Sequence, residues 1–188
     1  RQSIQNCKYA LEHDPYLQGA ICRNEMTCQI DIMKKVPWKR RGVQMTDTDM
    51  NNLSLYLEKN YGLTSDRVIG KAIDIVANDN SFHPIIDLLE SLKWDGRPRI
   101  AGMLTHFFGA SDPEYSGEIM KMHMLAAISR LYDPGKKYDI MLCLVGGQGT
   151  GKSTFFKYLA IRDEWFTDDV KRLDDKRVYE YLQGHWIV

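Results

Sequence analysis

Gly146-Gly147-Gln148-Gly149-Thr150-Gly151-Lys152-Ser153 follows directly on the apolar run Ile140-Met141-Leu142-Cys143-Leu144-Val145. A buried strand, then G-x-x-x-x-G-K-S, then a helix is the layout of a phosphate-binding loop (P-loop). Each residue type has a physical task there. Glycines let backbone N–H groups close around phosphate oxygens. The helix opening near Gly151 turns its partly positive end toward them. Lys152 brings a mobile charge to the β- and γ-phosphates, and Ser153 offers a hydroxyl to Mg²⁺. The nucleotide-binding set is therefore Gly146, Gly147, Gln148, Gly149, Thr150, Gly151, Lys152, Ser153 and Thr154, with Lys152 also the catalytic candidate. The alternative is a glycine-rich turn carrying a surface lysine.

Downstream, a helix is predicted from the loop to Ala160, with Phe155, Tyr158 and Leu159 packing inward. Trp165-Phe166 reads as a short strand, Leu173 to Leu182 as a helix, and Trp186-Ile187-Val188 as a further strand after Gly184. Turning over ATP needs an acidic residue ending a second strand, to hold Mg²⁺, and a group that orients water. The nearest carboxylates, Asp168, Asp169, Asp174 and Asp175, end no apolar strand and read as surface and capping residues. The acid is expected just after Val188, so the chain as given is expected to bind ATP but hydrolyse it poorly.

Upstream, Ser111-Asp112-Pro113 starts the longest predicted helix, which runs to about Tyr132 with an apolar stripe of Met120, Met124, Ile128 and Leu131. Asp133-Pro134-Gly135 ends it and is the expected domain boundary: an α-rich domain over 1–134, and the first part of a P-loop domain over 135–188. Within 1–134, residues 3–12 suit a short helix stopped by Asp14-Pro15. The alternation in Cys28-Gln29-Ile30-Asp31-Ile32, paired with Ala20 to Arg23, predicts a β-hairpin. Helices are predicted from Thr46 to Gly62 and from Ser65 onward, joined by a short glycine turn. A helix starting at Pro84 carries Ile85, Leu88, Leu89 and Leu92. Trp94 to Pro98 is a turn, and Ile100, Leu104 and Phe107 or Phe108 mark another short helix.

The most basic stretch is Lys34-Lys35-Val36-Pro37-Trp38-Lys39-Arg40-Arg41. Lys34, Lys35, Trp38, Lys39, Arg40 and Arg41 are candidate nucleic-acid contacts, with the cations on phosphates and Trp38 stacking on a base. The competing reading is a solvated loop anchored by Trp38. Beside a hairpin and a helix pair, the loop suits a winged-helix-like DNA-binding element.

The 188 residues hold 25 basic and 25 acidic side chains, so no global charge draws the chain to nucleic acid. Cys7, Cys22, Cys28 and Cys143 form no C-x-x-C pair and are expected as free thiols in a reducing cytoplasm. No apolar run is long enough to span a bilayer, and the start resembles no signal peptide. The opening on Arg1 is read as the start of a fragment.

Several further stretches carry a resemblance. Asn78-Asp79-Asn80-Ser81-Phe82-His83-Pro84, Leu88 to Gly96 with Arg99-Ile100, Ala126 to Arg130, Asp133 to Asp139, the glycine loop with Gln148, and Gln183 to Val188 together resemble the virulence-associated protein E family. The match runs from about Met45 onward. It implies a phage or mobile-element protein, similar to the ATPase half of replicative primase-helicases related to superfamily 3 helicases. It further implies Mg·ATP at subunit interfaces of a homo-oligomeric ring around DNA, and a glutamate after the final apolar run.

The expected class is therefore α/β: an α-rich N-terminal domain with a β-hairpin, followed by the first part of a P-loop NTPase α/β domain. The leading functional expectation is a fragment of a DNA-dependent, helicase-like ATPase. The alternative is a nucleic-acid-binding or assembly module whose P-loop binds nucleotide without turnover. A small-molecule kinase is the third reading, disfavoured by the long α-rich segment ahead of the loop.

Overall fold

A computed structural model of the chain describes residues 2–169 and 182–188. These are α-rich, with one small two-stranded sheet. They divide into two compact units, up to Pro84 and from Ile85 onward. The division falls well before the boundary expected at residue 134. The physical reason is that the helices of residues 103–132 share a core with the helix after the glycine loop: Leu104, Met120, Phe155 and Leu159 form one buried cluster.

In the first unit, α1 (Ile4–His13) is capped by Ser3, whose hydroxyl accepts from the Asn6 N–H at 3.2 Å. The predicted hairpin forms as β1 (Ile21–Asn24) and β2 (Gln29–Ile32), antiparallel, with Ile21 opposite Ile32 and Asn24 opposite Gln29. Both edges are partly covered. Ile32 N–H donates to Val43 O and Met45 N–H to Ile30 O, while Phe82 N–H donates to Arg23 O. α2 (Asp47–Tyr61) opens on a reciprocal capping box between Thr46 and Asp49, and closes on Gly62 at φ 65°. α3 (Asp66–Asp79) lays Ile69, Ala72, Ile73, Val76 and Ala77 into the core shared with Leu11, Leu17, Leu53 and Leu57. The α2 and α3 residues among these have the helical spacing that buries one stripe.

In the second unit, α4 (Pro84–Ser91) begins at its proline as expected, but ends before Leu92, which is 61% exposed. Trp94 to Pro98 form a turn closed by an Asp95–Arg99 ion pair at 2.6 Å. A 3₁₀ turn (Ile100–Gly102) leads into α5 (Met103–Phe108), stopped by Gly109 at φ 66°. α6 (Pro113–Tyr132) starts as predicted, with Asp112 accepting from the Tyr115 N–H at 3.0 Å. It approaches the 3₁₀ turn closely: a Cβ on Gly117 would lie 2.9 Å from the Ala101 carbonyl oxygen. α7 (Lys152–Leu159) follows the glycine loop.

The strand expected at Ile140–Val145 is not one among the described residues: the segment is irregular and no ladder holds it. The alternation survives in its burial. Leu142 and Leu144 pack on the α5–α6–α7 cluster, while Met141 is 80% and Val145 98% exposed. A strand is defined by its neighbours, and an apolar run supplies only one side of that bargain. Trp165-Phe166 and Trp186 to Val188 do meet, through a parallel bridge between Phe166 and Ile187. Trp165 O accepts there from the Trp186 and Ile187 N–H groups at 2.8 and 3.1 Å. The helix expected from Leu173 to Leu182, with Asp174 and Asp175, lies outside the described residues save its last position. All four cysteines are free thiols. Among the described residues no helix is long and apolar enough to cross a membrane.

Candidate functional site: the glycine loop and its surroundings

Two glycines set the loop's path. Gly149 at φ 79° and Gly151 at φ 82° sit in the left-handed region that side chains resist. Gly151 is the N-cap of α7 and brings no side-chain acceptor, so the first N–H groups of α7 have no capping oxygen from it. A Ser or Asp at that position is the usual helix start. Glycine leaves the positive end of the helix open to an external anion.

Lys152 is the first residue of α7, and its chain bends back over the loop. Its Nζ donates to Gly147 O at 2.6 Å, Gly146 O at 3.0 Å and Thr150 Oγ1 at 3.1 Å. Thr150 Oγ1 in turn donates to Gly147 O at 3.1 Å. The ammonium is thus held at the mouth of the loop by neutral oxygens, with no carboxylate among those partners. An anion entering there meets a cation that it does not have to win from a counter-charge. Ser153 and Thr154 are exposed on the first turn, so the Ser153 hydroxyl is accessible. Gln148 and Gly149 stand exposed at the loop's tip.

Two cavities flank the loop. One, of about 380 Å³, lies between α5 and the loop's first half; Leu104, Phe107, Val145, Gly146, Thr150 and Lys152 are among its walls. The other, of about 430 Å³, lies along α7 and is lined by Met103, Phe107, Phe108, Thr154 and Tyr158, with Thr150 and Gly151 of the loop. The sequence reading left open which of Phe107 and Phe108 faces inward. Phe108 does, edge-on to Phe155 with ring centres 5.1 Å apart; Phe107 stays 60% exposed. Neighbours on a helix point about 100° apart, so the two rings face different directions.

The basic stretch of the first unit is split by the fold. The Trp38 ring packs on the core, and its Nε1–H donates to Asp49 Oδ1 at 2.8 Å. Arg40 uses Nε on Asp49 and its two terminal nitrogens on the carbonyls of Ile32, Gly42, Val43 and Gln44, at 2.9–3.2 Å. Burial pushes the Asp49 carboxyl up, but the hydrogen bonds from Trp38, Arg40 and Thr46 outweigh it and hold it at about 2. Lys34 is tied to Gln18 O at 2.7 Å. Lys35, Lys39 and Arg41 are exposed, with no hydrogen bond or ion pair among the described residues. Six candidates thus separate into two structural side chains, one tethered lysine and three free cations. Sequence reading also missed Asp14. This buried carboxylate accepts from the hydroxyls of Tyr56 and Tyr61 at 2.9 and 2.7 Å and from two backbone N–H groups.

Among the described residues no cluster of three His, Cys, Asp or Glu side chains is arranged to hold a metal ion. Mg²⁺ in nucleotide sites draws most of its ligands from phosphate and water, so a single hydroxyl such as that of Ser153 fits the usual protein share. No curated protein matches the chain. A family model does, over residues 89–188, and its description is "virulence-associated protein E-like domain". Its start lies within α4, close to the first residue of the second compact unit.

Proposed function

The chain belongs to the virulence-associated protein E-like domain family, and from that premise we propose that its second unit is the first part of an α/β P-loop NTPase domain that binds Mg·ATP through residues 146–154. The parent activity in this reading is that of a DNA-dependent, helicase-like ATPase of a phage or mobile element, working as a homo-oligomer. The observation that carries it is the open N-terminus of α7 at Gly151, with the Lys152 ammonium held beside it.

Gly146 to Gly151 wrap the triphosphate with backbone N–H groups. Lys152 exchanges its loop carbonyls for β- and γ-phosphate oxygens, which is a gain because charge-assisted bonds are roughly twice as strong as neutral ones. Ser153 would offer its hydroxyl to Mg²⁺, which when bound would supply charge neutralisation for the phosphates. Thr154 flanks the entry to the groove along α7. Among the described carboxylates, Asp168 and Asp169 follow the Phe166–Ile187 bridge and are exposed.

The test is nucleotide affinity in the Lys152→Ala variant. A loss of at least about tenfold, or about 1.4 kcal/mol, with unchanged thermal unfolding is expected in calorimetric titration with ATP. An unaltered affinity overturns the assignment.

A second reading is favoured by one observation, the three free cations of the first unit. Lys35, Lys39 and Arg41 form a phosphate-contact set in this reading, and Trp38 and Arg40 shape the loop that presents them. Reversing all three to glutamate is expected to abolish DNA binding, and neutralising any one of them to lower the slope of its salt dependence by about one. Binding that survives the triple reversal, or that ignores salt, counts against it.

A further inference from the structure

We propose that the apolar groove along α7 takes the base of the nucleotide whose phosphates lie in the glycine loop, with Phe107 and Tyr158 as its stacking walls. This rests on the phosphate-loop reading and names the part of the ligand that reading leaves unplaced.

The first support is continuity. The groove is bounded by Thr150 and Gly151, which belong to the loop, and by Thr154, one residue after the Mg²⁺ candidate. The cavity on the other side of the loop contains Gly146 and Lys152. Phe107, Phe108 and Thr150 line both spaces, so α5 forms a common wall running from the lysine toward Tyr158. A nucleotide is a polyanion joined to a flat aromatic body, and the loop and groove present the matching surfaces in that order.

The second support is the state of the aromatic side chains. Phe108 and Phe155 are committed to the cluster beneath α5. Phe107 is 60% and Tyr158 79% exposed, although both are large rings on structured helices. Phe107 is stood on edge by His106, with ring centres 4.8 Å apart and planes at 80°. Exposed rings beside a polar loop suit a flat ligand, because base–aromatic stacking needs only π faces. At about 430 Å³ the groove falls within the usual size of a small-molecule site.

The decisive comparison is ATP against inorganic tripolyphosphate, which has the charge and no base. Both affinities are measured by competition with a fluorescent nucleotide on the 188-residue chain and on Phe107→Ala, Tyr158→Ala and Lys152→Ala. The expected result is that Phe107→Ala and Tyr158→Ala each weaken ATP about 5- to 10-fold, within the range of single base-stacking contacts, and leave tripolyphosphate unchanged. Phe107→Trp, which keeps a flat ring, is expected to retain ATP affinity, whereas generalised misfolding would not discriminate between the two ligands. ATP that ignores both alanine variants, while tripolyphosphate is lost with Lys152→Ala, overturns the base site and leaves the loop reading standing. Tripolyphosphate that ignores Lys152→Ala, or fails to bind, overturns the loop reading and the base site with it. A concentration-dependent dimer that Phe107→Ala dissolves without altering ATP affinity assigns the groove to a second copy of the chain and overturns the proposal.

Discussion

The two units treat their polar groups differently. In the first, buried polar atoms are matched: the Asp14 carboxylate accepts from two tyrosine hydroxyls and two N–H groups, and Arg40 donates through all three guanidinium nitrogens. Its apolar core is continuous from Cys7 to Ala77. In the second, His123 Nε2, Tyr138 OH and His185 Nδ1 are buried with no hydrogen-bond partner among the described residues. Met141, Val145, Phe107 and Tyr158 meanwhile show large apolar surfaces. The difference separates a unit whose interactions close upon its own residues from one whose glycine loop, ring walls and bare extended segment face outward. The first unit satisfies its buried polar groups internally, and the second leaves three of them without a partner among the described residues.

The strongest way to break this contrast is Asp49→Ala. It removes the acceptor of Arg40 Nε and of the Trp38 N–H, and leaves the guanidinium charge facing neutral carbonyls alone, at a site where the Arg40 side chain is only 14% exposed. Removing one partner of a buried pair costs about 3–5 kcal/mol. Hydrogen exchange resolved by residue is expected to show that loss in α2 and the hairpin, with α6 and α7 unaffected; uniform weakening of both units defeats the idea that they are separately stabilised.

A matched pair of truncations sharpens it. Leu53→Ala, at a fully buried position of the first core, is expected to cost about 2–5 kcal/mol in urea unfolding. Leu144→Ala, on the half-covered face of the extended segment, is expected to cost about 1 kcal/mol, for partial loss of burial. Equal losses would mean that the segment is as well packed as α2.

Acid supplies the mildest probe. The folded-state pKa of Asp49 is depressed from 3.8 to about 2. Its contribution is therefore fully present above pH 3.8 and is lost as pH falls toward 2, and amounts to about 2 kcal/mol. Asp14 is shifted down as well: burial raises it, and the bonds from Tyr61, Tyr16, Tyr56 and Leu17 more than offset that. The first unit is expected to lose exchange protection between about pH 4 and 2, less steeply in Asp49→Asn. Loss of protection that begins above pH 5 would point to other groups.

Local chemistry was legible in the sequence wherever it acts over a few residues. Thr46 ahead of its aspartates, Asp112 before Pro113, and the stop at Gly62 all announce helix ends by short-range hydrogen bonding or by φ. The hairpin was legible because alternation over Cys28 to Ile32 has a single solution. The destination of Arg40 was not. A basic run reads as solvated charge, and the carbonyls of Ile32 and Val43 converge on the guanidinium only after the chain has turned at Gly42, φ 72°. The unit boundary was hidden for a related reason. Asp133-Pro134-Gly135 is a strong local stop, but contacts between α5, α6 and α7 span it and override it. The left-handed turns at Gly149 and Gly151 were legible from their glycines; the groove beside them depends on which of two adjacent phenylalanines turns outward.

Gly117 ties this together in the language of tolerances. One hydrogen atom there is the clearance between α6 and the Ala101 carbonyl, and the 3₁₀ turn bearing Ala101 runs without a break into α5. A methyl group at 117 has nowhere to go unless that turn gives way, and α5 is the lever attached to it. The position of the Phe107 ring is in this sense gauged from a point ten residues away in sequence, on another helix, by the smallest side chain available.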